Sequence, residues 1–434
     1  MTEGLKFSSE DEISGNYSRY GLKSNPFPLG GQASRISPYV EISEKVSTKL
    51  VEFVNSVTAS RSWQGLVITG DIGTGKTRLL FSIESNINTQ LKYANAIYIN
   101  KPSVTPIEFF KKIIFSCDFD ELTRIIIHHE DNHSNLTKII NKNLSIRTDL
   151  SANKYYNITD EKNLVKDVES FFKERINIHD DLRKAYSILV INKILAEIID
   201  NDNVDYEFDD FWIENTDDVI EYVSGRGIAA KKLKSLGISD ITITEGMMEK
   251  IIFPSFLQYN KLGGKSIIYA LIDEFQFIVD TPSKQKIISV LNLIVAISQT
   301  NSKGLCMVLS CKPESWYVAC KLSDSFQDRF KNEISMPNLT KKTGFKLIGM
   351  YLNSGRIDPK ETKESESADF ISPFQIDAVN KMLELSKYKV RDFLIHAGQI
   401  LDNAIKNNQE SIDIQYVTQY FKSQMKEASL DLWS

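Results

Sequence analysis

A glycine-rich stretch near the start of the sequence carries the most specific chemical signal. It reads Gly-Asp-Ile-Gly-Thr-Gly-Lys-Thr over residues 70–77, which fits the pattern G-x-x-x-x-G-K-T. Glycines let successive backbone N–H groups point at one anion, and a helix that starts there adds the positive end of its dipole. Lys76 would reach the β- and γ-phosphates of a nucleotide, and the Thr77 hydroxyl would ligate Mg²⁺. The predicted phosphate-binding residues are Gly70, Asp71, Ile72, Gly73, Thr74, Gly75, Lys76, Thr77 and Arg78.

The neighbouring residues support this interpretation. Residues 65–69 are apolar, β-branched and bounded by glycines, which predicts a short buried strand, and residues 78–86 continue as a helix. The alternative is a chance match in a glycine-rich turn. A strand before the motif and a helix after it disfavour that alternative, because they are the context that a phosphate-binding loop requires.

Two adjacent acids, Asp273 and Glu274, follow a second long apolar stretch. Residues 266–272 predict a buried strand, and in a parallel sheet the carboxyl ends of the strands line the ligand crevice. Asp273 would hold the Mg²⁺ shell, and Glu274 would polarise the attacking water. The alternative is a pair of surface acids at the end of a strand. Since both acids are present, the pattern favours hydrolysis over binding alone.

Further apolar strands are predicted at residues 96–100 and 305–310. Strands and helices that alternate at this spacing predict an α/β fold with a parallel sheet covered by helices on both faces. We expect residues 1–20 to form a mobile tail. The core would comprise residues 21–115 and 265–355, separated by a mainly helical insertion at 116–264. A linker at 356–372 would lead to a helical lid at 373–434.

Composition bounds the class of protein. The 434 residues are 42% hydrophobic and 25% charged, values typical of a globular chain of two or three domains. No stretch approaches the length of a membrane span, and residues 1–14 lack an apolar signal region, so we expect a cytoplasmic protein without membrane contact. The net charge of −5 argues against coating nucleic acid by bulk electrostatics, but it leaves room for a local basic patch.

The order of these parts resembles the AAA+ superfamily of P-loop ATPases. An N-terminal Pro-Phe segment precedes the P-loop, and an acidic strand, a further strand, an arginine and a helical lid with its own arginine follow. The resemblance covers roughly residues 22–115 and 265–425. It implies an AAA+ core with a helical lid, binding of ATP and Mg²⁺, and hydrolysis of ATP to ADP and phosphate.

The resemblance also suggests roles for individual residues. Asn100 would be a polar partner of the catalytic glutamate, and the sensor-one position falls on Ser310 or Cys311. Asp328-Arg329-Phe330 resembles the stretch with the arginine finger, and Val390-Arg391-Asp392-Phe393 the sensor-two segment. An arginine aimed at the γ-phosphate stabilises the transition state. For Arg329 and Arg391 the alternative is an exposed salt bridge. Pro26 and Phe27 would pack near adenine or act as a hydrophobic anchor.

Within AAA+, the sequence is similar to the initiator and transposition-regulator branch, and more faintly to ATPases of bacterial phage-exclusion (BREX-type) systems. This implies an oligomeric ATPase that acts on DNA or a DNA-bound partner, in antiviral defence or mobile-element control. Initiators carry a winged helix after the lid; with the sequence ending at Ser434 we expect none here, and we expect any DNA contact to come from the insertion or the rim of a ring. The alternative function is a nucleotide-dependent switch or remodeller with a protein client and no DNA contact.

Overall fold

The computed structural model describes residues 17–28, 35, 43–148, 154–158, 161–202, 216–226, 230–239, 243–359 and 368–431. The predicted mobile tail lies almost wholly outside these ranges. The linker predicted at 356–372 is described only in part.

In the described ranges, seven strands form two sheets. Their bounds are β1 Gln64–Thr69, β2 Ala94–Ile99, β3 Leu144–Thr148, β4 Lys154–Ile158, β5 Ile267–Ile272, β6 Leu305–Cys311 and β7 Asn332–Ser335. The main sheet has the order β2-β5-β6-β1-β7, and β3 and β4 form a separate antiparallel pair. Strand β5 pairs in parallel with β2 on one side and with β6 on the other, and every residue of β5 is buried. Burial on both faces explains its continuous apolar sequence.

Helices make up most of the remainder. Their bounds are α1 Glu44–Ser60, α2 Lys76–Gln90, α3 Pro106–Phe115, α4 Phe119–His128, α5 Glu130–Asn143, α6 Glu161–Arg175, α7 Asp180–Asp202, α8 Thr216–Val223, α9 Ala230–Ser235, α10 Phe253–Leu262, α11 Gln276–Val279, α12 Lys284–Thr300, α13 Pro313–Leu322, α14 Asp324–Gln327, α15 Lys341–Gly355, α16 Ile376–Leu385, α17 Val390–Lys406 and α18 Ile414–Asp431. A helical turn (Glu245–Met247) and a π-helical turn (Met248–Ile252) lead into α10. Among the described helices, none has the length and apolar composition to cross a bilayer.

The chain divides into two compact units. The sheet unit comprises Phe53–Ile68 and Ile83–Glu333, and the P-loop unit comprises Met1–Glu52, Thr69–Ser82 and Ile334–Ser434. Each unit has its own hydrophobic cluster, so each buries apolar surface that stabilises it.

In the sheet unit, the helices of the insertion pack into the same core as the sheet. Tyr186 of α7 stacks on Tyr259 of α10 with ring centroids 4.1 Å apart, and Phe110 of α3 meets Phe253 edge-on at 5.2 Å. All four side chains are fully buried. The insertion therefore shares one continuous core with the sheet.

In the P-loop unit, helices α15 to α18 pack around a core that the N-terminal segment completes. Phe27 stacks on Tyr351 at 5.8 Å and meets Phe374 edge-on at 6.2 Å. Asn25 donates to the carbonyl of Gly398 at 3.0 Å and to Asp402 Oδ1 at 2.7 Å, which fixes the segment on α17.

The expected fold class is confirmed: a five-stranded parallel sheet flanked by helices, followed by a helical C-terminal region. One element escaped the sequence analysis. The antiparallel pair of β3 and β4 lies within the insertion at 116–264, which is predicted to be mainly helical. Each strand has five residues, too short for an alternating pattern to stand out from the surrounding polar sequence.

Candidate functional site

The phosphate-binding loop has the backbone that its glycines predict. Gly73 and Gly75 have φ angles of 81° and 93°, in the left-handed region that glycine adopts without a steric penalty. Thr74 is buried, and its hydroxyl donates to the carbonyl of Asp71 at 2.9 Å. Helix α2 starts at Lys76, so the positive end of its dipole lies at the loop.

The Lys76 ammonium group lies over the loop that precedes it. Its Nζ donates to the carbonyls of Gly70 at 2.7 Å and Asp71 at 2.8 Å. These bonds place a positive charge beside the backbone amides of the loop. Dipole, amides and ammonium together favour an anion with several negative charges.

The predicted lid arginine lies directly beside the loop. The backbone N–H of Arg391, in the first turn of α17, donates to the carbonyl of Gly73 at 3.0 Å. A Cβ on Gly73 would lie only 2.8 Å from the Cβ of Arg391, so glycine is needed for this close approach. The Arg391 side chain is exposed, and with the described residues its guanidinium forms no ion pair. The expected alternative, an exposed salt bridge, is not seen among those residues.

Three other predicted nucleotide contacts also lie in the P-loop unit. Phe27 is only 4% exposed and belongs to the lid core, which fits the alternative of a hydrophobic anchor. Pro26 is half-buried, and it approaches Gly355 closely enough that a Cβ there would lie 2.8 Å from the proline Cβ. Arg78 donates from Nη1 to the carbonyl of Arg35 at 3.2 Å. The roles of Pro26 and Arg78 at a nucleotide stay predictions.

In the sheet unit, Asp273 is held by two neutral hydroxyl groups. The carboxylate is 2% exposed, Tyr98 donates to its Oδ2 at 2.9 Å, and Ser310 donates to its Oδ1 in a short hydrogen bond. Burial, and then the charge of Asp273, raise the pKa of the Tyr98 phenol above its usual value, so the phenol keeps its proton and donates. A buried anionic oxygen pair fits the preference of Mg²⁺ for hard oxygen ligands.

Glu274 has a constrained backbone and a partly exposed side chain. Its φ angle of 56° is in the left-handed region, which is uncommon for a residue with a side chain. The backbone N–H donates to Asp273 Oδ1 at 2.9 Å, and Gln276 Nε2 donates to the carboxylate at 3.1 Å. Strain of this kind concentrates at functional sites, where the surroundings hold it in place.

Tyr98 and Gln276 contact the acid pair but were not predicted from the sequence as site residues. Asn100, the residue predicted to partner the acid pair, follows the last residue of β2, whereas Tyr98 lies within the strand. The structure places Tyr98, not Asn100, against the acid pair: Asn100 is exposed, and its carbonyl accepts from Lys112 at 2.7 Å. Gln276 is 8% exposed, and no pattern in the sequence indicated it. A role for Asn100 stays a prediction.

The two candidates for the sensor-one position have different surroundings. Ser310 contacts the Asp273 carboxylate, and its carbonyl accepts from the backbone N–H of Phe275 at 2.8 Å. Cys311 is fully buried at the end of β6. Ser310 is therefore the residue of the two that reaches the acid pair.

Arg329 follows helix α14 in the sheet unit. Its side chain is partly exposed, whereas the next residue, Phe330, is buried against Trp63 and Trp316. Phe330 thus anchors the segment, while the Arg329 guanidinium forms no ion pair with any residue in the described ranges. An exposed salt bridge of Arg329, the alternative to an arginine finger, is therefore not seen among the described residues.

No protein-family model matches the sequence, and no curated protein matches it. The chain is similar to the solved structure of the ORC2 protein of Aeropyrum pernix in its ADPNP–ADP complexes, at 9% identity and a TM-score of 0.41, over 88% of this chain and 67% of that chain. It is also similar to the Aeropyrum pernix ORC1 protein in complex with DNA, at 11% identity and a TM-score of 0.39, over 90% and 68%. Cdc6p from Pyrobaculum aerophilum is similar too, at 10% identity and a TM-score of 0.38, over 88% of this chain and 68% of that chain.

At such low identity and TM-score, the activities and partners of those proteins do not carry over to this chain. The likeness to phage-exclusion ATPases stays a prediction.

Proposed function

We propose that this chain binds ATP with Mg²⁺ and hydrolyses it. The observation that carries the proposal is the P-loop itself, in which Gly73 and Gly75 adopt left-handed backbone angles and Lys76 lies over the loop at the start of α2. This geometry suits a polyphosphate, because it concentrates positive potential without bulky side chains.

Each remaining residue has a definite task in this proposal. Thr77 and Asp273 would hold Mg²⁺, which would neutralise charge at the phosphates. Tyr98 and Ser310 fix the orientation of the Asp273 carboxylate, since each donates to one of its two oxygens. Glu274 accepts a proton from water as the water attacks the γ-phosphate.

Two arginines complete the proposed site. Arg391 reaches the phosphates from the lid, where its backbone is hydrogen-bonded to Gly73. Arg329 acts on the nucleotide of a neighbouring copy in a homo-oligomer. Both act by stabilising negative charge that develops on the γ-phosphate in the transition state.

Calorimetry on the full chain tests the proposal. We expect wild-type protein to bind ATP in the presence of Mg²⁺ and to release phosphate. Lys76→Ala should lose detectable binding because it removes the only side-chain cation of the P-loop motif, whereas the variant of a partly exposed lid lysine, Lys381→Ala, should bind as wild type does. Absence of ATP and ADP binding by folded wild-type protein would refute the proposal.

The proposed target of the ATPase is DNA or a DNA-bound protein. The support is the resemblance of the sequence to the initiator branch, together with a group of basic side chains in the sheet unit, Lys101, Lys112 and Arg226. A role in antiviral defence or mobile-element control rests on the sequence resemblance alone.

A protein client is the second candidate, and the lid provides an observation in its favour. Ile376 and Ile414, the first residues of α16 and α18, are both exposed, and the segments before them are joined by the bond from Gln375 N–H to the carbonyl of Ile412 at 2.9 Å. A contiguous exposed apolar patch marks a protein contact, and these two side chains would contribute to one. ATP hydrolysis stimulated by a protein and unaffected by DNA would favour this candidate.

A further inference from the structure

Five residues of the sheet unit form a linked group that we call the cation–aromatic surface. It comprises Lys101, Lys112, Phe115, Arg226 and Phe277. None of them takes part in the proposed chemistry of ATP. The two rings are among the large apolar side chains that remain exposed, at 40% for Phe115 and 43% for Phe277.

Lys101 and Phe277 form the first pair. The Lys101 Nζ lies 5.3 Å from the centre of the Phe277 ring, within the range of a cation–π interaction. Lys101 has a φ angle of 52°, a left-handed conformation that costs free energy for a residue with a side chain. The Lys101 side chain, which lies beside the Phe277 ring, therefore belongs to a residue with a strained backbone just after β2.

Lys112 connects this pair to helix α3. Its Nζ donates to the carbonyls of Asn100 at 2.7 Å and Lys101 at 2.6 Å, so two lysines of the same charge lie close together. Burial, and then the charge of Lys101, lower the pKa of Lys112 from its usual value. Within the described ranges no carboxylate pairs with either lysine, although Lys111 on the same helix is paired with Glu108 at 2.8 Å.

Phe115 and Arg226 form the second pair. Phe115 follows Lys112 by three residues on α3, a spacing that makes the two side chains neighbours on the helix surface. The guanidinium carbon of Arg226 lies 3.4 Å from the centre of the Phe115 ring. The backbone N–H of Arg226 donates to the carbonyl of Glu221 at 2.8 Å, which fixes its position after α8. In the described structure Arg226 has no carboxylate partner.

The surface thus alternates exposed rings with cations that no described carboxylate neutralises, in a chain of net charge −5. A polyanion with planar apolar faces satisfies both features at once: phosphates pair with the cations, and bases stack on the rings. Bases within a duplex are already stacked on each other, so the rings favour an unpaired strand. This chemistry is the same for DNA and RNA and is independent of base sequence.

We propose that the cation–aromatic surface of Lys101, Lys112, Phe115, Arg226 and Phe277 binds single-stranded nucleic acid. The inference sharpens the proposed action on DNA by naming the strand form and the contact residues. It does not depend on ATP binding, so the two proposals fail separately.

Fluorescence anisotropy with the full chain tests the proposal. The probes are fluorescein-labelled oligothymidylate and oligouridylate of about 20 nucleotides, and a duplex of the same length, at about 50 and 200 mM salt without nucleotide. We expect wild-type protein to bind at least one of the single strands more tightly than the duplex. The tighter of the two single strands identifies the natural chemistry as DNA or RNA.

Variants separate stacking from charge. Phe115→Ala and Phe277→Ala should each weaken binding about fivefold or more, with little change in salt dependence. Lys101→Gln and Arg226→Gln should each weaken binding and reduce the slope of log affinity against log salt by about 0.7. Lys321→Gln and Tyr317→Ala are the matched controls. They change another exposed cation–π pair of the sheet unit, 4.4 Å apart, which lies outside the surface, and they should bind as wild type does.

Three results would overturn the proposal: no single-strand binding at the lower salt, tighter binding of the duplex, or wild-type affinity in all four surface variants. Thermal unfolding of the same proteins shows that each variant is folded. Lys76→Ala should lose ATP binding but retain the oligonucleotide, so loss of ATP binding in wild type would refute the ATPase and leave this inference standing.

Discussion

The side chains of the P-loop and of the acid pair differ in the sequence separation of their hydrogen-bond partners. Lys76 bonds to carbonyls five and six residues away, and Thr74 bonds three residues away. Asp273 instead receives hydrogen bonds from Tyr98, 175 residues distant, and from Ser310, 37 residues distant. One region is assembled by local sequence and the other by strand pairing.

This difference changes what each region depends on. The P-loop depends on its own glycines, on the helix that follows and on the lid contact of Arg391 with Gly73, so it should tolerate changes in β2 and β6. The acid pair needs the register of three strands, because β2, β5 and β6 must end together for Tyr98, Asp273 and Ser310 to meet. Variants of the acid pair's partners should therefore alter its chemistry while leaving phosphate binding intact.

The largest effect is expected from Arg329, which belongs to neither region. Arg329→Ala should lower kcat for ATP by about 10³-fold or more, because it removes a cation that acts on the transition state. If Arg329 acts on a neighbouring copy, mixing Arg329→Ala with Lys76→Ala should restore hydrolysis, since some sites then combine an intact Lys76 with an intact Arg329. Phosphate release across mixing ratios is the measurement. Arg124→Ala, an exposed arginine paired with Glu121, is the control. Mixtures no more active than the separate variants would contradict action in trans.

Glu274→Gln should come next and would separate the two regions most clearly. We expect hydrolysis to fall by about 10²–10⁴-fold, since the amide does not accept the proton of the attacking water. Calorimetric affinity for ATP should stay near that of wild type, because the P-loop is untouched. The exposed acid Glu314, changed to Gln, serves as the control. Undiminished turnover in Glu274→Gln would remove the assignment of this residue as the catalytic base.

A smaller effect is expected from the hydroxyl groups that hold Asp273. Tyr98→Phe and Ser310→Ala each remove one hydrogen bond to a charged group, so kcat should fall about tenfold and the Mg²⁺ concentration for half-maximal activity should rise. Steady-state rates over a Mg²⁺ titration measure both quantities. Tyr93→Phe is the matched control, because the Tyr93 hydroxyl pairs with the neutral Thr58 at 2.9 Å. An unchanged Mg²⁺ dependence in both variants would contradict the proposal that Tyr98 and Ser310 hold the Asp273 carboxylate in place for Mg²⁺.

The smallest effect is expected from Gly73→Ala, which tests the P-loop and its contact with Arg391. The added Cβ meets the Arg391 Cβ and the φ angle of 81° becomes strained, so we expect a loss of stability of about 1–3 kcal/mol and a severalfold weaker affinity for ATP. Thermal unfolding and calorimetry provide the measurements. Gly246→Ala is the control, because its Cβ would have only Thr244 Oγ1 nearby, at 3.9 Å. Equal stability of the two variants would contradict the close approach of the lid to the loop.

The sequence alone determined those features that depend on short-range patterns. The loop at residues 70–77 was predicted with its strand and helix, because glycine spacing, an apolar run and a helix start all act within about 20 residues. The same holds for the Asp273–Glu274 pair at the end of β5, whose unbroken apolar sequence reflects burial on both faces. The parallel sheet followed from strands and helices in alternation.

Only the tertiary structure decided which side chains meet. Tyr98 and Ser310 converge on Asp273, and Arg226 lies over Phe115, through contacts that span up to 175 residues. Strand order and register fix such contacts, and both result from packing that involves the entire chain. Local pattern therefore identified the groups with chemistry, whereas the fold selected their partners.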